Sequence, residues 1–155
     1  MTTILIITIL HLFVPTEQQL LLSEVNYIRT QGCDCGEQYH KPTHALTWNA
    51  ELSDLARLHA IEMNDLEYFS HYNQQGDDVG GRAEKVFYEW IKIGENIAVG
   101  YKSTLTVMHA WLASPEHCEM IMNTSIKEMG AARVGDYWVR NFSRSTPKYL
   151  SKVRK

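Results

Sequence analysis

The stretch from Ile93 to Gly100 constrains this chain more than any other segment. It sets Glu95 and Asn96 between two glycines in an otherwise apolar run. Glycine at both ends permits a tight turn or the close approach of another segment. A carboxylate among Ile, Ala and Val side chains is costly to bury unless it is paired or bound. The sequence therefore predicts that other polar groups fold back onto Glu95.

Two histidine-bearing stretches can supply those polar groups. The tripeptide FSH ends at His71, and the motif SPEHC contains His117. We expect His71, Glu95 and His117 to meet in one cleft. Such a trio suits zinc or another divalent metal ion, and without a metal it suits general acid and base chemistry. A structural role in a polar core remains an open alternative from the spacing alone.

The length and composition indicate one globular domain. The chain has 155 residues, of which 45% are hydrophobic and 21% charged, values that are ordinary for a single packed core. The net charge of -3 gives no reason to expect nucleic acid as a partner. The late basic residues, from Arg140 onward, are interpreted as belonging to a short solvated tail.

The N-terminus predicts export. Residues 4–14 form an apolar run broken only by His11, which is too short to span a bilayer comfortably and suits the core of a signal peptide. Neither a basic residue before the run nor an Ala-x-Ala site after it is present, so cleavage and retention as an anchor both remain open. We expect a secreted, periplasmic or cell-surface protein that contacts a membrane only through an uncleaved N-terminus.

Apolar periodicity and capping residues predict most of the secondary structure. Helices are expected over 17–30, 50–66, 82–89, 104–113 and 115–122, and a β-hairpin over 129–134 and 137–142. The segment 31–47 is predicted to be a loop that carries His40 and His44 at the surface. His59 is interpreted as a packed, hydrogen-bonded histidine. In the helix over 104–113, Leu105 is assigned to the inner face and His109 to the outer.

Three cysteines are consistent with an oxidising compartment. Cys33 and Cys35 lie in the predicted loop, and Cys118 follows His117. A disulfide joining the two regions would close a large loop and contribute about 2–4 kcal/mol of stability, but three unrelated thiols are also possible at this point. A zinc site at the cysteines is not expected, because Cys33 and Cys35 are too tightly spaced for the usual tetrahedral ligand pair.

Several short motifs follow one another in a characteristic order. They are LTWN at 46–49, FSH at 69–71, GENIA at 94–98, WLASP at 111–115, HC at 117–118 and YWV at 137–139, followed by Phe142. In these motifs the chain resembles the CAP superfamily (cysteine-rich secretory proteins, antigen 5 or allergen V5, and pathogenesis-related 1), in its bacterial secreted form with an SCP domain. The resemblance covers roughly residues 20–142. It implies an α+β fold, a three-layer α-β-α sandwich with a central cleft on one side of the sheet.

This resemblance also divides the chain and suggests site residues. It implies a signal-like or anchor segment at 1–16, the CAP domain at 17–143 and a basic tail at 144–155. Family members line their cleft with two histidines and two acidic residues, and some bind a divalent metal ion there. His71, Glu95 and His117 match three of these positions. Ser114 occupies the place of the second acid, which weakens the expectation of tight metal binding, and Asn96 with Ser114 completes the expected ligand cleft.

The resemblance further implies a disulfide and a function. The family pattern pairs Cys35 with Cys118 and leaves Cys33 over. It favours a secreted binding module for a lipid, glycan or cell-wall ligand, with or without zinc or another divalent metal ion. One alternative is a metal-assisted, peptidase-like hydrolase in which His71, Glu95 and His117 are catalytic. The other alternative is a structural or adhesive protein of the cell envelope, since one fold serves unlike functions.

Overall fold

The computed structural model describes residues 16–147, so the signal-like segment and most of the basic tail lie outside the described residues. The helices are α1 (Glu17–Gln31), α2 (Ala50–Asp65), α3 (Val79–Lys85), α4 (Thr104–Ala113) and α5 (Pro115–Met122). The strands are β1 (Cys33–Cys35), β2 (Gln38–His40), β3 (Thr47–Trp48), β4 (Trp90–Val99), β5 (Glu128–Val134) and β6 (Tyr137–Ser145). Within this range, no helix is long and apolar enough to cross a membrane.

Local capping chemistry starts the longer helices where the sequence predicts. The side chain of Thr16 accepts a hydrogen bond from the backbone of Gln19 at the start of α1. Asn49 caps α2 in the same way, and Ser103 caps α4. Each cap satisfies an N–H group that has no partner inside the helix. Pro115 opens α5, where the missing proline N–H costs nothing.

Four strands form the main sheet in the order β3-β5-β6-β4. β3 pairs with β5 in parallel, and the other neighbours are antiparallel. β5 and β6 form the predicted hairpin, which turns through Gly135 at a φ of 57°. β4 and β3 are therefore the two edges of this sheet, and the glycine-bounded stretch lies on the β4 edge.

Helices cover both faces of the sheet, so the expected three-layer α-β-α sandwich of the α+β class is confirmed. α1, α4 and α5 pack on one face, where Trp111 meets Trp138 and Phe142 in the largest apolar cluster. α2 packs on the other face against Ile97 and Val139. The alternation along β6 sends consecutive side chains to opposite layers.

One close approach fixes the distance between α2 and the sheet. A Cβ atom at Gly130 in β5 would lie 2.2 Å from the backbone nitrogen of Ser53 and 2.5 Å from the carbonyl carbon of Leu52. Those neighbours are backbone atoms of α2 and cannot move aside individually. Only glycine lets the first turn of α2 lie this close to β5.

Two predicted segments differ from the structure. The expected loop over 31–47 contains the short hairpin β1–β2, with Cys33 opposite His40. The helix expected over 82–89 is α3, which begins earlier, at Val79, because Asp78 provides an N-terminal cap. It ends at Lys85. The glycine-bounded stretch is also not a turn, since it continues β4 to Val99.

Two side chains also lie elsewhere than predicted. Leu105 is 56% exposed at the first turn of α4 rather than on the inner face. Arg140 is buried within β6 rather than solvated, and its guanidinium lies 4.4 Å from the centre of the Trp111 ring. Alternation along β6 places Arg140 on the same face as Trp138 and Phe142, which overrides its charge.

Candidate functional site

A buried histidine positions the loop that follows α2. His59 lies within α2, and its Nε2 donates to the carbonyl oxygen of Ser70 at 2.9 Å. Burial, opposed by the nearby Glu95, lowers the pKa of His59, so the ring is neutral with its proton on Nε2. This agrees with the prediction of a packed, hydrogen-bonded histidine. The hydrogen bond holds the backbone immediately before His71.

His71 and Glu95 are in direct contact. Nδ1 of His71 lies 3.0 Å from Oε1 of Glu95. A carboxylate only accepts, so Nδ1 carries the proton of this contact, and Nε2 is the ring nitrogen that Glu95 does not engage. The Glu95 side chain is 2% exposed whereas that of His71 is 48% exposed. The buried carboxylate of Glu95 therefore orients the imidazole of His71, which is exposed to solvent.

Arg82 balances that anion from the other side. Nη2 of Arg82, in α3, lies 2.5 Å from Oε2 of Glu95. Nη1 of the same side chain donates to the carbonyl oxygens of His71 at 2.8 Å and Asp77 at 3.1 Å. One buried guanidinium thus neutralises Glu95 and ties down the His71 loop. Both carboxylate oxygens of Glu95 are engaged by protein groups.

Sequence reasoning missed Arg82. The residue stands in the segment VGGRAEK, where nothing distinguishes it from an exposed helical arginine. The one local signal is Asp78, whose side chain accepts from the backbone N–H of Gly81 and starts α3. That cap fixes the helix, but the contact with Glu95 depends on how α3 packs beside β4.

His117 lies in α5, in the other helical layer from the His71–Glu95 pair. Asn96 follows Glu95 in β4 and points to the opposite face, where its Nδ2 donates to the carbonyl oxygen of His117 at 3.1 Å. Burial, and then the charge of His71, lower the pKa of His117. The two imidazoles are therefore in electrostatic reach of each other. Because β4 is an edge strand, elements from both faces can contribute to one site there.

We define the histidine site as His71, Arg82, Glu95 and His117. Ser114, the remaining candidate, joins α4 to α5 as the cap of both helices. Its side chain makes no capping hydrogen bond to α5, and the residue is half-buried. Its hydroxyl is thus available to a ligand beside His117.

The histidine site does not fit a preformed divalent metal centre. Its carboxylate is already bound on both oxygens, and a serine stands where the second acid is expected. Among residues 16–147, one group of three or more His, Cys, Asp or Glu residues has its donor atoms within 4.8 Å of one another. That group consists of cysteines.

The cysteine cluster consists of Cys33, Cys35 and Cys118. Cys35 and Cys118 form the expected disulfide, with their Cα atoms 5.4 Å apart. Cys33 is unpaired and half-buried, and its Sγ lies 3.7 Å from that of Cys118. Burial, and then the charge of Asp34, raise the pKa of the Cys33 thiol, so it is a weak nucleophile at neutral pH.

Comparison with known proteins assigns the family. The model of the cysteine-rich secretory protein family, CAP, matches residues 22–142. This chain belongs to the CAP family. The uncharacterized membrane protein YlbC of Bacillus subtilis (strain 168) is 27% identical over 97 residues, which are 63% of this chain and 28% of that protein.

Two solved structures share the CAP fold. An extracellular protein containing a SCP domain from Bacillus anthracis str. Ames superposes with a TM-score of 0.74 and 25% identity, over 83% of this chain and 40% of that one. An outer surface protein from Borrelia burgdorferi superposes with a TM-score of 0.71 and 23% identity, over 82% of this chain and 91% of its own. This CAP chain thus spans less than half of YlbC and of the Bacillus anthracis protein.

Proposed function

We propose that this CAP domain is a binding module for a glycan of the cell envelope, and that the histidine site contacts the glycan. The observation that carries the proposal is the double engagement of Glu95 by His71 and Arg82. It leaves a site with oriented hydrogen-bonding groups, in which the charge of Glu95 is balanced by Arg82. Of the ligand classes expected from the sequence, lipid, glycan and cell-wall material, a glycan suits such a surface best.

The hydrogen-bonding capacity of the site matches sugar hydroxyls. Nε2 of His71 is not engaged by Glu95 and offers one hydrogen-bonding nitrogen, and the hydroxyl of Ser114 both donates and accepts. The lowered pKa of His117 keeps its ring neutral at pH 7. Arg82 is committed to Glu95 and to backbone carbonyls, so it offers no cation for a phosphate or carboxylate. Hydroxyl groups, which donate and accept without charge, are the complementary partner.

Exposed aromatic side chains flank the oriented imidazole. Phe69 is 50% exposed and Tyr72 is 59% exposed, on the same loop as His71. Aromatic rings with one apolar face in water are favoured at binding surfaces because they bury a large area on contact. The apolar faces of sugar rings suit such aromatic side chains, while their hydroxyls suit the imidazoles.

The relatives support a location at the cell envelope. One similar structure is an extracellular protein and the other is an outer surface protein. We propose that this protein is likewise exported, as the apolar N-terminal run indicates. That run lies outside the described residues.

Binding to an insoluble and a soluble glycan tests this function. We expect the purified protein to sediment with isolated peptidoglycan and to show chemical-shift changes at His71 with an N-acetylglucosamine tetramer. His71→Ala and Tyr72→Ala should reduce the bound fraction at least about tenfold, the usual effect of removing a binding hot spot. Tyr27→Ala is the matched control, because Tyr27 is an exposed tyrosine of α1, outside the loop that carries His71 and Tyr72.

The same experiment distinguishes the competing ligands. Equal sedimentation of His71→Ala and the unaltered protein would contradict the glycan assignment. Binding to phosphatidylglycerol vesicles that is lost in Tyr72→Ala, without binding to either glycan, would assign the site to a lipid instead.

One observation favours hydrolysis as a second candidate. The contact between Nδ1 of His71 and the Glu95 carboxylate holds the ring as a general base acting through Nε2. If the site is catalytic, incubation of peptidoglycan with the protein should release new fragments detectable by mass spectrometry. His71→Ala should release no such fragments. If the unaltered protein also releases none, hydrolysis is contradicted and binding remains the proposed function.

A further inference from the structure

The cysteine cluster has a feature that the proposed function does not use. Cys33 and Cys35 are alternate residues of β1 and project to the same face of the strand. Sγ of Cys33 lies 4.0 Å from Sγ of Cys35 and 3.7 Å from Sγ of Cys118. Three sulfur atoms, two from a strand and one from a helix, thus lie within about 4 Å of one another.

Those separations match the edges of a zinc–thiolate tetrahedron. A Zn–S bond of about 2.3 Å gives a sulfur–sulfur edge of roughly 3.8 Å. Cys33 already stands at this distance from both other sulfur atoms. The disulfide holds Cys35 and Cys118 too close to share a metal ion, and a metal ion binds thiolates rather than a disulfide. After reduction, rotation of the two side chains can separate their sulfur atoms.

A fourth ligand is available across the β1–β2 hairpin. His40 is the direct partner of Cys33, and opposed residues of an antiparallel pair project to the same face. Nε2 of His40 is buried and has no hydrogen-bond partner within the described range. A buried ring nitrogen without a partner is costly. His40 lies outside the tight sulfur group, so its ring must turn toward Cys33 to bind a metal ion.

We propose that reduction of the Cys35–Cys118 disulfide turns the cysteine cluster and His40 into a site for one thiophilic divalent cation, represented by zinc. A dithiol reductant supplies two electrons and two protons and is itself oxidised, leaving thiols at Cys35 and Cys118. Binding of one Zn²⁺ then releases the three thiol protons and forms three Zn–S bonds and one Zn–N bond. The disulfide and the metal ion exclude each other.

The sequence alone predicts no zinc site at these cysteines, because Cys33 and Cys35 are tightly spaced. The structure adds a third sulfur atom, which α5 brings from Cys118. It also adds the imidazole of His40, which the β1–β2 hairpin places opposite Cys33. The full ligand set is apparent only from the tertiary structure.

Cobalt and zinc titration of the protein in both redox states tests the proposal. The protein is reduced with tris(2-carboxyethyl)phosphine under nitrogen and titrated with Co²⁺. We expect one Co²⁺ per chain, sulfur-to-cobalt charge-transfer absorption and displacement by Zn²⁺. The oxidised protein should show none of these. Cys33→Ser keeps the disulfide, yet after reduction it should bind zinc at least about tenfold more weakly, as should His40→Ala.

Controls keep the result independent of the histidine site and of folding. His71→Ala should bind zinc at the cysteines as the unaltered protein does, even if glycan binding is lost. If reduction loosens the fold, zinc should restore the helical circular-dichroism signal, and otherwise it should raise the Tm. The proposed site would be overturned if zinc neither restored the helical signal nor raised the Tm. It would also be overturned if charge-transfer absorption were absent, or if Cys33→Ser bound zinc as tightly as the unaltered protein. Equal affinity in His40→Ala would overturn the fourth ligand.

Discussion

Nη2 of Arg82 lies 2.5 Å from Oε2 of Glu95, and the two side chains are only 7% and 2% exposed. Each side chain thus neutralises most of the charge of the other in a region almost inaccessible to water. Breaking such a pair by removing one partner leaves an unpaired buried charge, which costs more than the pair contributes. The pair therefore holds the histidine site in place.

Glu95→Gln should lower the free energy of unfolding by about 1–3 kcal/mol, because the amide keeps the shape but not the charge. Arg82→Met should cost roughly 3–5 kcal/mol, since it removes the buried cation that balances the Glu95 carboxylate. Urea denaturation at pH 7 measures both, with Glu119→Gln on the exposed side of α5 as the control. A change below about 0.5 kcal/mol in Glu95→Gln, typical of a surface site, would contradict the pairing.

The two imidazoles should titrate as neighbours. The charge of His71 contributes to the lowered pKa of His117, so His71→Ala should raise the pKa of His117 toward its ordinary value. NMR titration of the His117 Cε1–H resonance measures the shift. His109→Ala removes an exposed histidine from α4 and should leave that pKa unchanged. An unaltered His117 pKa in His71→Ala would mean that the imidazoles are too far apart to act together.

Acid should destabilise the fold through His59 and His117. Burial lowers the pKa of both, so below the ordinary value of about 6.5 the unfolded chain binds more protons than the folded one. Stability then falls as the pH drops from about 6.5 to the lowered pKa values, and the loss is complete below them. In His59→Gln, where the amide can still donate to the Ser70 carbonyl, the midpoint of urea denaturation should fall less between pH 7 and pH 5. An equally steep loss would contradict this origin.

Gly130→Ala should be far more harmful than Gly94→Ala. A Cβ atom at Gly130 would meet the backbone of α2, whereas at Gly94 it would meet the flexible end of the Met120 side chain. We expect a loss of roughly 1–3 kcal/mol or more at Gly130, as for overpacked sites, and a smaller one at Gly94. Thermal unfolding of both variants measures this order, and the reverse order would contradict the fixed spacing of α2 and β5.

The sequence predicts features that depend on neighbouring residues. Asn49 and Ser103 could be identified as helix caps because capping is a local interaction. Glu95 could be identified as unusual because its own neighbours are apolar. These signals predict the long helices, the β5–β6 hairpin and a polar partner for Glu95, and the CAP motifs extend them to the full sandwich.

The sequence does not reveal features set by tertiary packing. Arg82 reaches Glu95 only because α3 packs beside β4, and no short-range pattern records that contact. The short strands β1 and β2 have too few residues for a periodic signal. Arg140 had a usable signal, since alternation with Trp138 and Phe142 predicts an inward side chain, but its place among the late basic residues suggested a tail instead.

The pairing order of the sheet has a consequence for how the domain acquires its structure. β3 and β4 are synthesised well before β5 and β6, yet Thr47 pairs with Glu128 and Glu95 pairs with Asn141. Neither edge strand can pair within the sheet before the hairpin over 128–145 has been synthesised. Contacts that distant slow folding and leave apolar strands unpaired in the meantime. The emerging chain thus cannot complete its sheet until almost the whole domain has been synthesised.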